Sequence, residues 1–496
     1  MQLMKKFGRS TAWMSVAASG TSIVSFIVFI VLSRLLAPEE IGLVAFALIF
    51  VELGKIVVNA GFQQAIVRQP QWTQSYATTS FYASLMFAVF ITSLVLLLLV
   101  PLAEAYYAPK VGPILQALSV IFVIEGLKTV HEGKLKREFQ FKAIALRTII
   151  GSLLSGIIGI YLAVEGYGVW ALVWQQIINH IAMTAITVAS ANWKPTREFS
   201  KADLQDLLTF SSPVMFAQMI GSANMKSFEF LIGILIGPAA LGFYRVGGRA
   251  LFILQDIVLK PFESTVLSAL SRMENRDQQA ANAIRIMKTS AFVTVPIFFG
   301  ASVIAPDFIV MAFGEKWAAS GNIMRALAIG IAPLAVSYQI NAALMASGES
   351  GKVLKISIAG FCLSVILGVC TIHFGLFTAA CVFALRGYLI TILNMHYFRK
   401  VFDINIGRTL MQIAPPFIAS TLMWLLLLLI QDYMIADMAN LMRLLVVSVI
   451  GVMLYLLINV LVFRQEVLSF LDDGVQLVPG AISGILIRLK RLLSPT

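Results

Sequence analysis

The sequence predicts an all-α, polytopic membrane protein with about fourteen transmembrane helices. Composition, the length of the apolar segments and the distribution of basic residues each support this fold class. Of the 496 residues, 59% are hydrophobic and only 12% are charged, whereas charged residues make up roughly 25% of an average soluble domain. A soluble core cannot accommodate so apolar a chain, so we expect most of it to lie in a lipid bilayer.

The apolar segments have the length of membrane spans. About 20 apolar residues in an α-helix cross a hydrocarbon layer of roughly 30 Å. We predict fourteen such segments, of which the fourth and the eighth carry the most charge. In chain order they cover residues 12–34, 41–60, 79–103, 113–131, 144–164, 168–190, 212–236, 240–264, 286–306, 322–346, 353–373, 376–397, 409–431 and 441–463.

Basic residues test this assignment independently, because Lys and Arg collect in cytoplasmic loops. With the N-terminus inside, 25 of them fall on the inner side and five on the outer side. Both termini are therefore predicted to be cytoplasmic. The formal net charge of +12 then reports topology, and we do not expect a nucleic-acid partner. The outer residues are Arg34, Lys110, Lys316, Arg325 and Arg443.

An internal repeat is predicted from two similar Pro turns that lie 200 residues apart, 35–42 and 235–242. Further matches occur in the same order, at 114–118 with 323–327 and at 167–170 with 374–377. Six spans per repeat is an even number, so the axis between the repeats should run along the membrane normal. We predict an N-terminal lobe over 1–200 and a C-terminal lobe over 201–400, then two additional helices over 401–463 and a cytoplasmic, interfacial amphipathic tail over 464–496.

Polar side chains form stripes on four predicted segments that are equivalent in the two repeats. Charged groups at the centre of a span cost roughly 2.5 to 3.5 kcal/mol each, so such stripes should face water or a partner. At 3.6 residues per turn, each stripe occupies one helix face. We therefore predict that segments 1, 2, 7 and 8 line a central, water-filled cavity. Their stripes contain Ser15, Ser19, Ser22 and Ser33; Glu52, Lys55 and Asn59; Ser211, Gln218, Ser222, Lys226 and Glu229; and Arg245, Arg249, Asp256, Lys260 and Glu263.

The bases of this cavity indicate an anionic substrate. Arg245 and Arg249 have no acidic residue one turn away on their own helix, so they should need water, the other lobe or a ligand. Arginine makes planar, bidentate contacts to phosphate oxygens. The predicted substrate-binding residues are Arg245, Arg249, Lys55, Lys226, Gln218, Ser222 and Asn59, and the predicted ion-coupling residues are Glu52, Glu229 and Asp256.

Some of these charges have a purely structural interpretation. Glu52 with Lys55, Lys226 with Glu229, and Glu125 with Lys128 are spaced three residues apart, as in ion pairs that fix helix packing. We favour this interpretation only for the pair of Glu125 and Lys128.

Cofactors and metals are not expected. Cys362, Cys370 and Cys381 lie inside predicted spans without metal-ligand spacing, and we interpret them as packing residues. The chain has no Gly-rich nucleotide loop of the GxxxxGK[ST] type, so transport should draw on an ion gradient or the membrane potential.

Several motifs together resemble the polysaccharide transporter family, the Wzx-type oligosaccharide flippases that include colanic-acid and exopolysaccharide exporters. The resemblance covers essentially the whole chain, and the order of its motifs is more specific than any single one. The motifs are the Ser/Thr-rich first helix, the Pro turn at 35–43, the stretch 61–69, the basic loop 134–139 and the segment 313–317.

This resemblance implies the multidrug, oligosaccharidyl-lipid and polysaccharide exporter superfamily, with two six-helix lobes and alternating access. It also implies an undecaprenyl-diphosphate-linked oligosaccharide as substrate, moved to the periplasmic leaflet of the bacterial inner membrane. Membrane lipids and a polysaccharide polymerase or chain-length machinery are the expected partners. The apolar run 425–429 of segment 13 is either a groove for the lipid tail or a lipid-facing packing surface.

Two other functions fit the sequence less well. An ion-coupled multidrug extruder would share the fold, but its cationic drugs call for acidic and aromatic walls, and Arg245 and Arg249 argue against that. A membrane-embedded polysaccharide enzyme normally needs a sizeable catalytic loop, whereas the loops here are short and the four histidines form no cluster. We therefore expect no enzymatic activity.

Overall fold

The structure, a computed structural model, describes residues 20–259, 266–267, 269–273, 275–434 and 438–477. Within these ranges the chain is helical and contains no strand, so the predicted all-α class is confirmed. The helices are α1 Gly20–Leu35, α2 Pro38–Asn59, α3 Phe62–Arg68, α4 Gln74–Leu94, α5 Val100–Tyr106, α6 Val111–Arg137, α7 Phe141–Val164, α8 Val169–Ala191, α9 Lys201–Ile236, α10 Pro238–Val258, α11 Arg276–Phe313, α12 Ala318–Ile331, α13 Leu334–Ala346, α14 Ser350–Thr371, α15 Leu376–Phe402, α16 Ile406–Met434, α17 Asn440–Val462 and α18 Arg464–Leu477.

The predicted membrane segments lie in helices in the part that is described, but segment 79–103 is divided by a π turn between α4 and α5, and segment 322–346 covers the two helices α12 and α13. By length and composition, ten described helices are apolar enough to cross a membrane, or eleven if the bent pair Glu315–Ile331 and Leu334–Ala346 forms one span. The count of fourteen stays a prediction, as does the repeat. Residues 12–19 of the first segment lie outside the described residues, as do Ser15, Ser19, Lys260, Glu263 and the tail from 478.

Cα packing divides the chain into two compact units, Met1–Val246 and Gly247–Thr496. In the first unit, α9 packs along α2. The Phe230 ring lies 5.8 Å from that of Phe46 and 6.0 Å from that of Phe50, between ring centroids. This packing brings polar residues of α2 and α9 close together.

The Pro turns start α2 and α10. Proline at the first helical position lacks only an N–H that has no partner inside the helix, and its fixed φ suits the helix. At α2, the Glu40 carboxylate also accepts a hydrogen bond of 2.8 Å from the Ala37 N–H. Acidic residues in the first turn are stabilised there by the helix dipole.

These two turns pack against each other inside the first unit. A Cβ atom on Gly42 would overlap the Pro238 carbonyl oxygen, and one on Gly242 would overlap the Pro38 carbonyl oxygen. Each glycine thus faces the proline of the other turn. The backbones approach so closely that only glycine fits at both positions.

A π-helical turn, Val95–Leu99, interrupts the helix formed by α4 and α5. The Val100 N–H bonds to the Val95 carbonyl, five residues back. The next residue, Pro101, has no N–H to donate to the Leu97 carbonyl, which weakens the regular helix at this place. Single π turns of this kind often occur at functional sites.

In the second unit, ionic contacts attach the last helices to α11. Asp307 of α11 pairs with Arg443 of α17 and accepts a hydrogen bond of 3.0 Å from Gln431 of α16. At the other end of α11, Lys288 pairs with Glu466 of α18. The Phe292 and Phe470 rings stack with centroids 4.5 Å apart, so α18 packs on protein along part of its surface.

Candidate ion cluster on three helices

Four charged side chains of α2, α9 and α10 meet in the first unit, and we call Glu52, Lys226, Glu229 and Arg245 the Glu229 cluster. The Glu229 Oε2 atom lies 3.4 Å from Lys226 Nζ and 3.4 Å from Arg245 Nη1. Lys226 Nζ also lies 3.3 Å from Glu52 Oε2. One carboxylate and one ammonium group are therefore each shared by two partners, and together they connect three helices.

Exposure differs sharply within the Glu229 cluster. The side chain of Glu229 is 5% exposed and that of Glu52 is 42% exposed, with Lys226 and Arg245 in between. A buried charge without a partner is costly, so Glu229 should hold both cations in place. Glu52 is the easiest member for a ligand to replace. An incoming anion can take its position at Lys226 while Glu229 stays where it is.

The structure corrects the prediction that Arg245 lacks an acidic partner. The sequence argument considered only the helix that carries Arg245, whereas the counter-ion Glu229 comes from α9. The spacing-three pair of Lys226 and Glu229 does form. The structural interpretation of these charges therefore applies to part of the predicted cavity, and Arg245 does not by itself indicate an anionic ligand.

The other predicted site residues lie nearby on the same helices or in the second unit. Gln218 is exposed and Ser222 is half-buried on α9. Lys55 is half-buried on α2, where its carbonyl accepts a hydrogen bond of 3.0 Å from Asn59 Nδ2. Arg249 is half-buried and Asp256 is exposed on the part of α10 that belongs to the second unit.

A second group of charges is buried in the first unit, around α6. Glu125 Oε2 lies 2.9 Å from Lys128 Nζ, which confirms the predicted packing pair. Glu132 Oε2 lies 2.9 Å from Arg147 Nη2 of α7. We call the following residues the Glu125 network: Glu125, Lys128, Glu132, Arg147 and His180.

Asn59 belongs to the surroundings of this network. Its Nδ2 donates to Glu125 Oε1 at 3.2 Å, and its Oδ1 accepts from Thr129 Oγ1 at 2.9 Å. Both ends of the amide are thus already used inside the first unit. Asn59 therefore fixes α2 against α6, while its predicted role in substrate binding stays a prediction.

Sequence reasoning missed Arg147 and His180. Arg147 was counted with the cytoplasmic loop cations, but it lies in α7 with 4% of its surface exposed. A cation six residues into an apolar helix is the signal that could have found it. His180 Nδ1 lies 3.5 Å from Glu125 Oε2, a contact that sequence spacing cannot reveal.

The cysteine prediction is wrong in one respect. Cys362, Cys370 and Cys381 are free, but all three are exposed where the sequence predicted buried packing residues. The outer surface of a membrane span faces hydrocarbon, so small apolar residues are tolerated there as well as in the core. Across the described ranges, no group of three His, Cys, Asp or Glu side chains is placed to hold a metal ion.

Water access to the Glu229 cluster can be measured by thiol labelling. We expect Gln218→Cys and Ser222→Cys, in a background without the three native cysteines, to react with a charged thiol reagent, because a thiol needs water to ionise. Phe216→Cys is the matched control. Phe216 is 59% exposed but lies two residues from Gln218, on nearly the opposite helix face. Equal labelling of positions 216 and 218 would rule out the cavity.

The apolar helices define an all-helical, multi-pass membrane protein. Its sequence matches the family described as "Polysaccharide biosynthesis protein" over residues 31–322, more than half of the chain. The chain therefore belongs to this family, and the resemblance inferred from its motifs is confirmed.

A characterised relative is the succinoglycan biosynthesis transport protein ExoT of Rhizobium meliloti (strain 1021). It is 24% identical over 326 residues, and the match spans 66% of each chain. The chain thus matches just under two thirds of that relative's length.

Solved structures share the fold. The lipid II flippase MurJ in its inward closed conformation superposes with a TM-score of 0.77 at 14% identity, over 91% of this chain and 98% of MurJ. An inward-facing multidrug resistance MATE family transporter superposes with a TM-score of 0.60 at 15% identity, over 79% of this chain and 98% of that one. At such identities the likeness concerns the fold alone.

Proposed function

We propose that this protein is a flippase that moves undecaprenyl-diphosphate-linked oligosaccharide repeat units from the cytoplasmic to the periplasmic leaflet, for exopolysaccharide, capsule or O-antigen synthesis. The observation that carries the proposal is the pair of cations held by buried Glu229, with the exposed Glu52 as an exchangeable partner. Membership of a polysaccharide biosynthesis family supports the substrate class.

The costly step of this transport is moving the polar headgroup through the hydrocarbon layer. Sugars and a diphosphate cannot enter hydrocarbon without partners, because each unpaired polar group costs several kcal/mol. A polar cavity beside α2 and α9 would receive the headgroup, while the polyprenyl chain stays in the lipid. In this mechanism a diphosphate oxygen replaces Glu52 at Lys226, and the guanidinium fork of Arg245 binds a second oxygen.

Arg249 of α10 stays a predicted substrate-binding residue. It follows Arg245 by one helical turn, so both side chains leave the same face of the helix. Alternating access would then expose the site to each leaflet in turn, driven by an ion gradient or the membrane potential. Glu52, Glu229 and Asp256 remain our candidates for ion coupling.

The location, orientation and partners of the protein follow from the same proposal. We place it in the bacterial inner membrane with both termini in the cytoplasm, where Lys and Arg predominate in the predicted inner loops. A polysaccharide polymerase or chain-length machinery would take over the repeat units on the periplasmic side. The transport function named for ExoT supports a transporter rather than an enzyme.

An ion-coupled multidrug extruder is the second candidate. The likeness to a MATE transporter and the exposed carboxylate of Glu52 favour it, because an acidic wall suits cationic drugs. The two functions differ in what they require of Arg245. A cationic drug would bind better without it, whereas a diphosphate would bind worse.

Replacing Arg245 with alanine tests the proposed function. Each charge-assisted contact to a diphosphate is worth about 1.5 to 3 kcal/mol, so export of lipid-linked oligosaccharide should fall by roughly ten- to a hundredfold. Arg249→Ala should have a similar effect. Arg245→Lys should recover only part of the activity, because it keeps the charge and loses the fork. Export is measured as surface polysaccharide in cells that lack the native gene.

The matched control is Lys110→Ala, which removes a cation of the same unit from an exposed ion pair with Glu39. It should export at the parental rate. If Arg245→Ala and Arg249→Ala also reach the membrane in normal amounts and export at that rate, these arginines do not bind the diphosphate.

A further inference from the structure

An apolar groove lies beside α2 in the first unit. It has a volume of about 270 Å³, and all of its lining residues are apolar. Phe50 and Leu53 of α2 form one wall, Leu94 and Leu98 of the α4 and π-turn segment form another, and Met219 of α9 completes it. This size approaches that of ordinary ligand pockets, which begin at roughly 300 Å³.

The groove is open to the outside of the protein along α4 and the π turn. Leu94 is 42% exposed and Leu98 is 54% exposed, although both line the groove. The π turn Val95–Leu99 lies at this place. An apolar chain that enters here meets only apolar lining residues.

The groove shares two helices with the Glu229 cluster. Met219 precedes Lys226 by seven residues, so the two side chains leave the same face of α9 two turns apart. Ser222 lies between them on this face. On α2, Phe50 and Leu53 line the groove, while Glu52 leaves a different face of the helix. An elongated molecule with an anionic head and an apolar chain therefore finds both kinds of surface along one face of α9.

We propose that this groove binds the first isoprene units of the polyprenyl chain while the diphosphate lies at Lys226 and Arg245. The identity of the occupant rests on the proposed function. The chain is bound by burial of apolar surface at the leucine and phenylalanine walls. The groove thus selects carriers with a chain next to the phosphate, whereas a soluble diphosphate gains nothing from it.

Photocrosslinking of the full-length protein in phosphatidylcholine and phosphatidylglycerol nanodiscs tests this proposal. A benzophenone amino acid replaces Leu98, which lines the groove, or Leu97, which neighbours it but is 79% exposed. The probe is radiolabelled undecaprenyl diphosphate. We expect crosslinking at position 98 to exceed that at position 97 by roughly tenfold. Unlabelled probe should abolish the signal, and phosphatidic acid, which has the phosphate but acyl chains, should not.

Filling the groove provides a second measurement that does not need the probe. We expect Leu98→Trp to lower export roughly tenfold, because the larger indole would occupy the space that the chain needs in the groove. Leu97→Trp should leave export unchanged. Both variants are compared at equal abundance in the membrane.

Two outcomes would contradict the proposal that the groove binds the polyprenyl chain. Equal crosslinking at positions 97 and 98, or equal competition by phosphatidic acid, would make it a surface for any lipid. A third variant carries the benzophenone at Leu426 of α16, which is 41% exposed, and crosslinking from that position but not from position 98 would place the chain on α16. In either case an export defect of Arg245→Ala would leave the proposed function standing. If crosslinking is selective for position 98 but export does not depend on Arg245, the groove binds the polyprenyl chain and the proposed function is contradicted.

Discussion

Replacing Gly42 or Gly242 with alanine should prevent normal accumulation of the protein. The added methyl group would overlap the backbone carbonyl of Pro238 or Pro38, respectively, and a backbone atom cannot rotate away as a side chain can. We expect a loss of about 3 kcal/mol or more in folding free energy, at the upper end of overpacking effects. The measurement is the amount of protein in the membrane, together with its unfolding temperature in detergent.

Gly221→Ala is the matched control for this effect. Gly221 also lies inside a helix of the first unit, but a Cβ atom there meets nothing within 4 Å. This variant should be as stable as the parent or more stable by about 0.5 to 1 kcal/mol, because alanine favours the helix. If Gly42→Ala and Gly221→Ala unfold at the same temperature, the two Pro turns do not pack closely.

Replacing Arg147 with methionine should destabilise the first unit by about 1 to 3 kcal/mol, because buried Glu132 loses one cation and keeps Lys136 at 2.9 Å. Arg147 Nη2 lies 2.9 Å from Glu132 Oε2, and Arg147 Nη1 donates to Thr187 Oγ1 at 2.6 Å. Adding Glu132→Gln should recover part of the loss. The unfolding temperature of the purified protein in detergent reports both changes.

Lys110→Met serves as the control for Arg147. Lys110 forms an ion pair of 3.1 Å with Glu39, but their side chains are 75% and 52% exposed. Exposed ion pairs contribute about 0 to 1 kcal/mol, so this variant should unfold close to the parent. A similar unfolding temperature for Arg147→Met and Lys110→Met would mean that the Glu125 network contributes little to stability.

The sequence was sufficient to predict the helices. Their apolar segments have the length of a membrane, and proline marks the starts of α2 and α10. The described residues of the predicted segments are helical, although hydropathy did not predict the π turn within segment 79–103 or the bend within segment 322–346. Local signals of this kind act within one segment, so they can be interpreted without knowing which helices are neighbours.

The sequence was insufficient wherever a contact joins different helices. Arg245 was predicted without an acidic partner because its counter-ion Glu229 lies sixteen residues away on α9. Arg147 and His180 meet Glu132 and Glu125 only through the packing of α6, α7 and α8. The exposure of the three cysteines was predicted wrongly for a related reason. In a bilayer, an apolar residue can face either the protein or the lipid, and hydropathy does not distinguish the two.

The balance of charges in the Glu229 cluster has an electrical consequence. Two carboxylates and two cations sum to zero, so these four groups carry no net charge when the site holds no ligand. The field then does no net work on these four groups and acts on the ligand and on any coupled ion. An electric field performs about 2.3 kcal/mol of work per elementary charge for each 100 mV. With a negative cell interior, this work favours outward movement of a diphosphate and does not oppose the return of the empty cluster.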